Sequence, residues 1–132
     1  MKELKFKYTI LYVNNVADTL KFFEKAFGFE QKMLHESGDY GELNTGDTIL
    51  SFSSLELMNN TGKNPVQVNP ESPTFEIAFE TKDVPEALAR ALAAGAKLVQ
   101  DAKEMPWGQT TAYVLDNNGF LIELCTSVST QP

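Results

Sequence analysis

The acidic residue Glu123 stands where a carboxylate could bind a cation or carry a proton. It lies in an alternating run that puts Ile122 and Leu124 on one face of a predicted strand and Leu121, Glu123 and Cys125 on the other. Glutamate is depleted in strands, because a strand usually packs one face on a core. The Glu123 face is therefore either exposed to solvent or a binding surface on a concave sheet.

Other predicted strands carry polar and aromatic side chains on one face in the same way. Tyr8 and Tyr12 share a face of the strand predicted over 6–13, Ser51 lies in the strand over 48–53, and Glu76 and Glu80 share a face over 74–81. The complementary faces of these strands are almost entirely apolar and suit helix packing. The mixed faces suit a ligand site, which typically has apolar walls and a few polar groups.

Three residues that each occur once in the chain could belong to a site: Trp107, His35 and Cys125. Trp107, beside Gly108, is predicted either at the lip of a loop, where it could stack on a flat ligand, or at the edge of the core. His35 is predicted at the surface, because no partner pattern for a triad or a metal cluster accompanies it. Cys125 has no basic neighbour in sequence that would lower its pKa, which argues against a nucleophile.

The composition restricts the classes of partner. A formal net charge of −7 argues against nucleic acid or an anionic membrane, and it fits either a cationic ligand or simple solubility. The single cysteine cannot form an internal disulfide. The N-terminal residues show no apolar signal region, and no run approaches the roughly 20 residues of a membrane span. We therefore expect a cytoplasmic protein.

The order of predicted elements repeats once along the chain. Each half reads strand, helix and three strands, with helices predicted over 16–27 and from Val84 to Gly95, and each last strand follows a glycine turn. The pattern predicts one α+β domain over 1–132, with modules at about 5–54 and 74–127. The segment 55–73, rich in proline and asparagine, is predicted as a connecting loop.

Two motifs resemble those of the vicinal-oxygen-chelate superfamily, which includes glyoxalase I, extradiol dioxygenases and bleomycin-resistance proteins. They are Val13-Asn14-Asn15-Val16 with the later Phe27-Gly28-Phe29, and Pro106-Trp107-Gly108-Gln109 with the run from Leu115 to Leu124. The resemblance implies two tandem βαβββ modules whose mixed sheet curls around a cleft, with helices on the outer face and often a homodimer. It also implies that Trp107 lines a ligand groove.

The resemblance further implies metal-ligand positions at Tyr8, Ser51, Glu76 and Glu123. Of these residues only Glu76 and Glu123 are good oxygen ligands, whereas a catalytic divalent metal usually has three protein ligands. Glu76 and Glu123 should be neighbours, so that the pKa of one carboxyl is raised and the pair can bind a metal ion or a protonated amine.

Two functions follow. The first is a small-molecule-binding protein without a cofactor, which takes a basic or aromatic ligand through side chains of both modules: Tyr8, Tyr12, Ser51, Glu76, Glu80, Trp107 and Glu123. The alternative is a lyase, isomerase or dioxygenase that uses Ni, Zn, Mn or Fe bound by Glu76 and Glu123, with Glu123 as the best catalytic candidate.

Overall fold

The computed structural model describes residues 3–128 and shows an α+β chain built from two tandem βαβββ modules, as predicted. The first module contains β1 (Tyr8–Val13), α1 (Val16–Phe27), β2 (Gln31–Leu34), β3 (Tyr40–Leu43) and β4 (Ile49–Ser54), and is followed by α2 (Leu55–Asn60). The second contains β5 (Glu76–Glu80), α3 (Val84–Ala93), β6 (Lys97–Glu104), β7 (Thr110–Leu115) and β8 (Leu121–Cys125). One compact unit contains the chain up to Glu24 together with Gly28–Gln67, and the other contains Lys25–Phe27 together with the chain from Val68 onward.

Each module forms its own four-stranded mixed sheet, and the strand orders match. They are β1-β4-β3-β2 in the first sheet and β5-β8-β7-β6 in the second. The strand registers also correspond. Tyr8 pairs with Ile49, two residues before Ser51, and Glu76 pairs with Leu121, two residues before Glu123. The two modules predicted from the sequence repeat therefore correspond residue by residue in these strand pairs.

Helix α1 begins and ends where its capping residues predict. The Asn15 side chain accepts a hydrogen bond from the Asp18 amide at 2.9 Å, and Gly28 ends the helix in the left-handed region at φ 81°. The Phe23 ring lies 5.1 Å from the Phe52 ring of β4, centroid to centroid. The helix therefore covers the apolar face of the first sheet.

Gly41 shows how closely α1 approaches the first sheet. A Cβ atom added to this residue of β3 would lie 2.7 Å from Cδ1 of Leu20 and 3.0 Å from Cγ1 of Val16. Because side chains alternate along a strand, the neighbours of Gly41 in β3, Tyr40 and Glu42, face away from the helix. The close approach thus fixes which face of this sheet is polar.

Helix α3 covers the second sheet. The Asp83 side chain accepts a hydrogen bond from the Glu86 amide at 3.1 Å, as in a capping box, and Pro85 occupies the first turn. Val84, Leu88 and Ala91 are buried on the side of α3 that contacts β6, β7 and β8. The opposite face of the second sheet is left to polar side chains.

The segment after β4 corrects one prediction. Residues 55–73 were expected to be a loop, but Leu55–Asn60 form helix α2. The Ser54 hydroxyl accepts a hydrogen bond from the Leu57 amide at 3.0 Å and caps the helix, and Met58 is buried. The cap and the burial of Met58 thus stabilise a helix in a segment whose composition is typical of a loop. The segment between Asn60 and the start of β5 has no regular secondary structure.

The β7–β8 hairpin is held by a buried aspartate at its turn. Oδ1 of Asp116 accepts the backbone N–H groups of Asn118 at 2.9 Å and of Gly119 and Phe120 at 2.8 Å. The Asp116 side chain is 4% exposed, and its Oδ2 has no hydrogen-bond partner among the described residues. Burial raises the pKa of this carboxyl, and the three backbone hydrogen bonds lower it only in part. Asp116 therefore locks the register that places β7 against β8.

The faces predicted from strand alternation are also present. Leu11, Val13, Phe52, Ile122 and Leu124 are buried, while Tyr8 and Ile10 are exposed on the other face of β1. No helix within residues 3–128 is long and apolar enough to cross a membrane.

Candidate functional site

The second sheet gathers acidic, phenolic and thiol side chains on the face opposite α3. In β5, Glu76 and Glu80 lie on the face opposite the half-buried Ile77 and Phe79, and Glu80 pairs with Cys125 of β8. In β7, Tyr113 pairs directly with Glu123 of β8. We call this set the second-sheet polar face: Glu76, Glu80, Tyr113, Glu123 and Cys125.

Tyr113 and Glu123 form the centre of the second-sheet polar face. The Tyr113 hydroxyl donates a hydrogen bond of 3.2 Å to Oε2 of Glu123. Burial, followed by the charges of Glu123 and Glu76, raises the pKa of Tyr113 to about 12. The phenol therefore stays protonated at neutral pH and acts as a neutral donor to the carboxylate.

The carboxyl pair predicted from the sequence is present. Burial raises the pKa of Glu123, the hydrogen bond from Tyr113 lowers it, and the charge and hydrogen bond of Glu76 raise it further. The prediction of a raised pKa is confirmed, but its main cause is burial and not the neighbouring acid. No basic side chain of the described residues contributes to the pKa shift of Glu123. The face thus carries acidic charge that no lysine or arginine of the described chain compensates.

Trp107 lies at the surface, 56% exposed, and not at the edge of the core. Its indole N–H donates a hydrogen bond of 2.8 Å to Oε1 of Gln109, and Gln109 donates from Nε2 to the Thr126 carbonyl at 2.9 Å. Thr126 follows Cys125 directly after β8, and the Cys125 thiol itself donates to the Phe79 carbonyl at 3.7 Å. Gln109 therefore ties the tryptophan to the end of the second-sheet polar face.

A surface groove of about 740 Å³ runs beside Trp107. The loop and the end of β6 line it, with Lys103, Glu104, Met105, Pro106, Trp107 and Gly108. The groove offers the indole ring on one side, and the acidic residues of the second-sheet polar face are not among its lining residues. The indole is therefore accessible for stacking.

Neither Cys125 nor His35 has the local surroundings of an activated catalytic residue. Burial, followed by the charges of Glu123 and Glu80, raises the pKa of the Cys125 thiol. A protonated thiol is a poor nucleophile, which agrees with the sequence analysis. His35 is exposed, and its Nδ1 is 2.9 Å from the Ser37 hydroxyl.

The first sheet has a comparable polar face, which contains the predicted site residues Tyr8, Tyr12 and Ser51. The Tyr40 hydroxyl on this face donates a hydrogen bond of 2.8 Å to Oε2 of Glu42. Burial raises the pKa of Tyr40, a hydrogen bond with Ser51 lowers it, and Glu42 raises it. We call this set the first-sheet polar face: Tyr8, Tyr12, Tyr40, Glu42, Ser51 and Ser53.

The donor atoms do not match a catalytic metal centre. No group of three or more His, Cys, Asp or Glu side chains within residues 3–128 is placed to hold a metal ion. On the second sheet, Glu76 and Glu123 are joined by a phenol and a thiol whose pKa values are both raised, so that neither is an anionic ligand at neutral pH. The set falls short of the three protein ligands of a catalytic divalent site.

Four residues of the two polar faces and the adjoining loop were not predicted as site residues: Tyr113, Gln109, Tyr40 and Glu42. Pairing across the hairpin would have placed Tyr113 opposite Glu123, since the turn at Asp116 fixes the register. Glu42 stands in mid-strand, the same signal that identified Glu123. The contacts of Gln109 depend on the conformation of a loop, and no sequence pattern predicts them.

Comparison with known proteins places this geometry in a family. The family model described as Glyoxalase-like domain matches residues 6–129. No protein among the curated sequences matches the chain significantly.

Solved structures share the fold at low sequence identity. A glyoxalase-related enzyme from Fulvimarina pelagi is 19% identical, with a TM-score of 0.78 over 93% of this chain and 88% of its own. A glyoxalase/bleomycin resistance protein/dioxygenase from Nocardioides is 16% identical, with a TM-score of 0.78 over 99% and 88%. A glyoxalase/bleomycin resistance protein/dioxygenase family enzyme from Burkholderia phytofirmans PsJN is 21% identical, with a TM-score of 0.78 over 96% and 100%.

Proposed function

Because this chain belongs to the glyoxalase-like domain family, we propose that it is a small-molecule-binding protein of the glyoxalase and bleomycin-resistance type. The ligand is a basic aromatic molecule, and it binds on the second-sheet polar face. The observation that carries this proposal is the Glu76 and Glu123 carboxyl pair, which lies beside Tyr113 with no basic side chain contributing from the described residues. A ligand cation would supply the missing charge.

Electrostatics favour a cation on this face. Glu123 is partly buried, and burial together with Glu76 disfavours its ionised form. A protonated amine placed between the two carboxylates would favour ionisation of both. Its N–H groups would donate to the carboxylate oxygens, and hydrogen bonds of this charge-assisted kind are about twice as strong as neutral ones.

Aromatic side chains are proposed to bind the flat ring of the ligand. Trp107 exposes its indole ring while Gln109 holds the indole N–H. An immobilised, exposed ring is a good stacking surface for a flat cation, because the π face attracts positive charge. The Tyr113 phenol stays protonated and donates its single O–H to Glu123, so that its oxygen can still accept a hydrogen bond from the ligand.

Binding on this face is proposed to be independent of metal, since the donor set there lacks a third anionic ligand. The metal-dependent lyase, isomerase or dioxygenase named as the alternative would need further ligands from water, substrate or a partner chain. The homodimer and the cytoplasmic location stay predictions.

The emission of Trp107 tests the proposal, because it is the only tryptophan of the chain. The protein is titrated with bleomycin and with 9-aminoacridine, a flat cation at neutral pH, and with acridine as the matched largely neutral ring. We expect saturable quenching by a basic compound and at least about tenfold weaker binding of acridine, the equivalent of about 1.4 kcal/mol.

Two variants show which side chains respond. Glu123→Gln should weaken binding of the cation by about tenfold and leave acridine unaffected, whereas Glu104→Gln, in the groove beside Trp107, should change it little. Unchanged emission with every basic compound, or equal affinity for acridine and 9-aminoacridine, would overturn the proposal.

A further inference from the structure

The turn between β7 and β8 contains the only Asn-Gly sequence of the chain, Asn118–Gly119. Asparagine is a chemically labile residue. It is most labile before glycine, because the glycine nitrogen can attack the asparagine side chain and no glycine side chain hinders the attack. The proposed function assigns no role to Asn118. The turn therefore carries a reactive pair of residues that ligand binding does not explain.

The backbone nitrogen of Gly119 is restrained by Asp116. Its N–H donates to Oδ1 of Asp116 at 2.8 Å and to the Asp116 carbonyl at 3.2 Å. The carboxylate is 4% exposed, and Oδ2 has no partner among the described residues, so that little screens its charge. Removal of the Gly119 proton would place a second negative charge beside this carboxylate, which like charges disfavour. Asp116 thus suppresses the nucleophile.

The side chain of Asn118 is held as well. Its Nδ2 donates to Oδ1 of Asn117 at 3.1 Å, and its backbone N–H donates to Oδ1 of Asp116 at 2.9 Å. Pro70 covers the glycine, since a Cβ atom built on Gly119 would lie 3.3 Å from Cβ of Pro70. The two reacting groups must leave these contacts before they can combine. The reaction therefore requires local opening of the turn.

We propose that Asn118–Gly119 is a site of spontaneous deamidation that Asp116 suppresses while the turn is folded. When the turn opens, the Gly119 nitrogen bonds to Cγ of Asn118 and the bond from Cγ to Nδ2 breaks. The side-chain nitrogen leaves as ammonia, with the proton that the Gly119 amide loses. Water then opens the cyclic imide at either carbonyl and leaves aspartate or isoaspartate at position 118.

The isoaspartate product would change the hairpin. It adds an extra carbon to the backbone between β7 and β8, in a turn where the Asp116 amide donates to the Phe120 carbonyl at 2.9 Å. Strand register in a hairpin depends on the turn type and the loop length. We therefore expect deamidation to weaken the pairing of Tyr113 with Glu123.

Incubation at mildly alkaline pH, followed by peptide mass spectrometry, tests the proposal. The folded protein is compared with the same protein unfolded in guanidinium chloride. The mass gain at Asn118 should be at least about tenfold faster in the unfolded chain, the equivalent of about 1.4 kcal/mol of protection. Asn118→Gln should abolish this gain. Equal rates in the folded and unfolded protein, or a gain at Asn117 in place of Asn118, would overturn the inference.

Variants of the folded protein assign the suppression to Asp116. Asp116→Ala should speed the mass gain at Asn118 by about tenfold or more, and Asp116→Asn, which keeps an acceptor oxygen, by less. Leu88→Ala is the matched control for lost stability, because Leu88 is buried on α3, outside the turn, and it should leave the rate unchanged. If Asp116→Ala leaves the rate unchanged or lowers it, or if Leu88→Ala raises it equally, the inference is wrong.

Discussion

The hydrogen bond between Tyr113 and Glu123 should contribute to the free energy of unfolding by an amount that its geometry allows us to calculate. Tyr113→Phe removes the donor at 3.2 Å from Oε2 of Glu123 and keeps the ring. Hydrogen bonds to charged groups contribute about 1.5–3 kcal/mol, but this one is longer than the ideal for an O–H group and a carboxylate. Glu123 is also only partly buried, so that water can replace part of the lost bond. We expect a loss of about 1 kcal/mol in the free energy of unfolding.

The loss should depend on pH in a defined direction. The Tyr113 hydrogen bond lowers the pKa of Glu123, which means that it favours the ionised form. Above the raised pKa of folded Glu123 the variant loses a charge-assisted bond, and below it only a neutral bond worth roughly half as much. The destabilisation should therefore be larger at about pH 8 than at about pH 4.

Urea unfolding at both pH values measures the effect. Tyr12→Phe is the control, because the Tyr12 hydroxyl makes no hydrogen bond within the described residues, and it should change stability by less than about 0.5 kcal/mol. Tyr40→Phe should cost more than Tyr113→Phe, since its bond to Glu42 is shorter and more buried. A Tyr113→Phe variant as stable as the wild type at about pH 8, or equally destabilised at both pH values, would refute the reasoning.

Three further predictions concern the fold and its titration. Gly41→Ala should lower the free energy of unfolding in urea by about 1–3 kcal/mol, because the added methyl group meets Leu20 and Val16. The loss should be smaller when Leu20 is also replaced by alanine. An equal loss in the wild-type and Leu20→Ala backgrounds would contradict the close approach of α1 to β3. Asp116→Ala should lower the free energy of unfolding by about 2 kcal/mol, since the Phe120 amide loses its side-chain acceptor in a buried turn. Amide hydrogen exchange at residues 118–120 should also become faster. Unchanged exchange would show that Asp116 does not hold the turn in its conformation. Because the pKa values of Glu123 and Asp116 are raised in the folded protein, their contribution to stability is full below the unfolded pKa values and is lost as pH rises through the folded pKa values. Glu123→Gln should therefore make the free energy of unfolding decline less steeply between about pH 4 and 7. An unchanged slope of this free energy against pH would contradict the assignment to Glu123.

Local signals in the sequence were enough to predict the two modules. The cap at Asn15, the stop at Gly28, the capping sequence at Asp83 and the turn at Asp116 each act within a few residues of chain. The same locality explains the one error. Helix α2 is short, and its stability comes from the Ser54 cap and from burial of Met58, which composition does not show. The extent of a single domain over 1–132 stays a prediction.

The site was predictable only where strand alternation defines it. Glu76 and Glu123 were predicted to be neighbours, whereas the sequence left Trp107 either at the lip of a loop or at the edge of the core, and the structure shows it exposed. A raised pKa was predicted for one carboxyl of this pair, but not that it is Glu123 or that burial is the main cause, because burial depends on the tertiary packing of the sheet. The role of Gln109 as the link between Trp107 and Thr126 depends on a loop conformation that no periodic pattern encodes.

Calorimetric titration of the chelator-treated protein with 9-aminoacridine tests the central claim most directly. The second-sheet polar face should bind this cation through Glu123 without a metal ion. We expect wild-type protein to bind in the presence of chelator and Glu123→Gln to bind about tenfold more weakly, a difference of about 1.4 kcal/mol. Equal affinity in the two proteins, or binding that returns only when Ni²⁺, Zn²⁺, Mn²⁺ or Fe²⁺ is added, would contradict it.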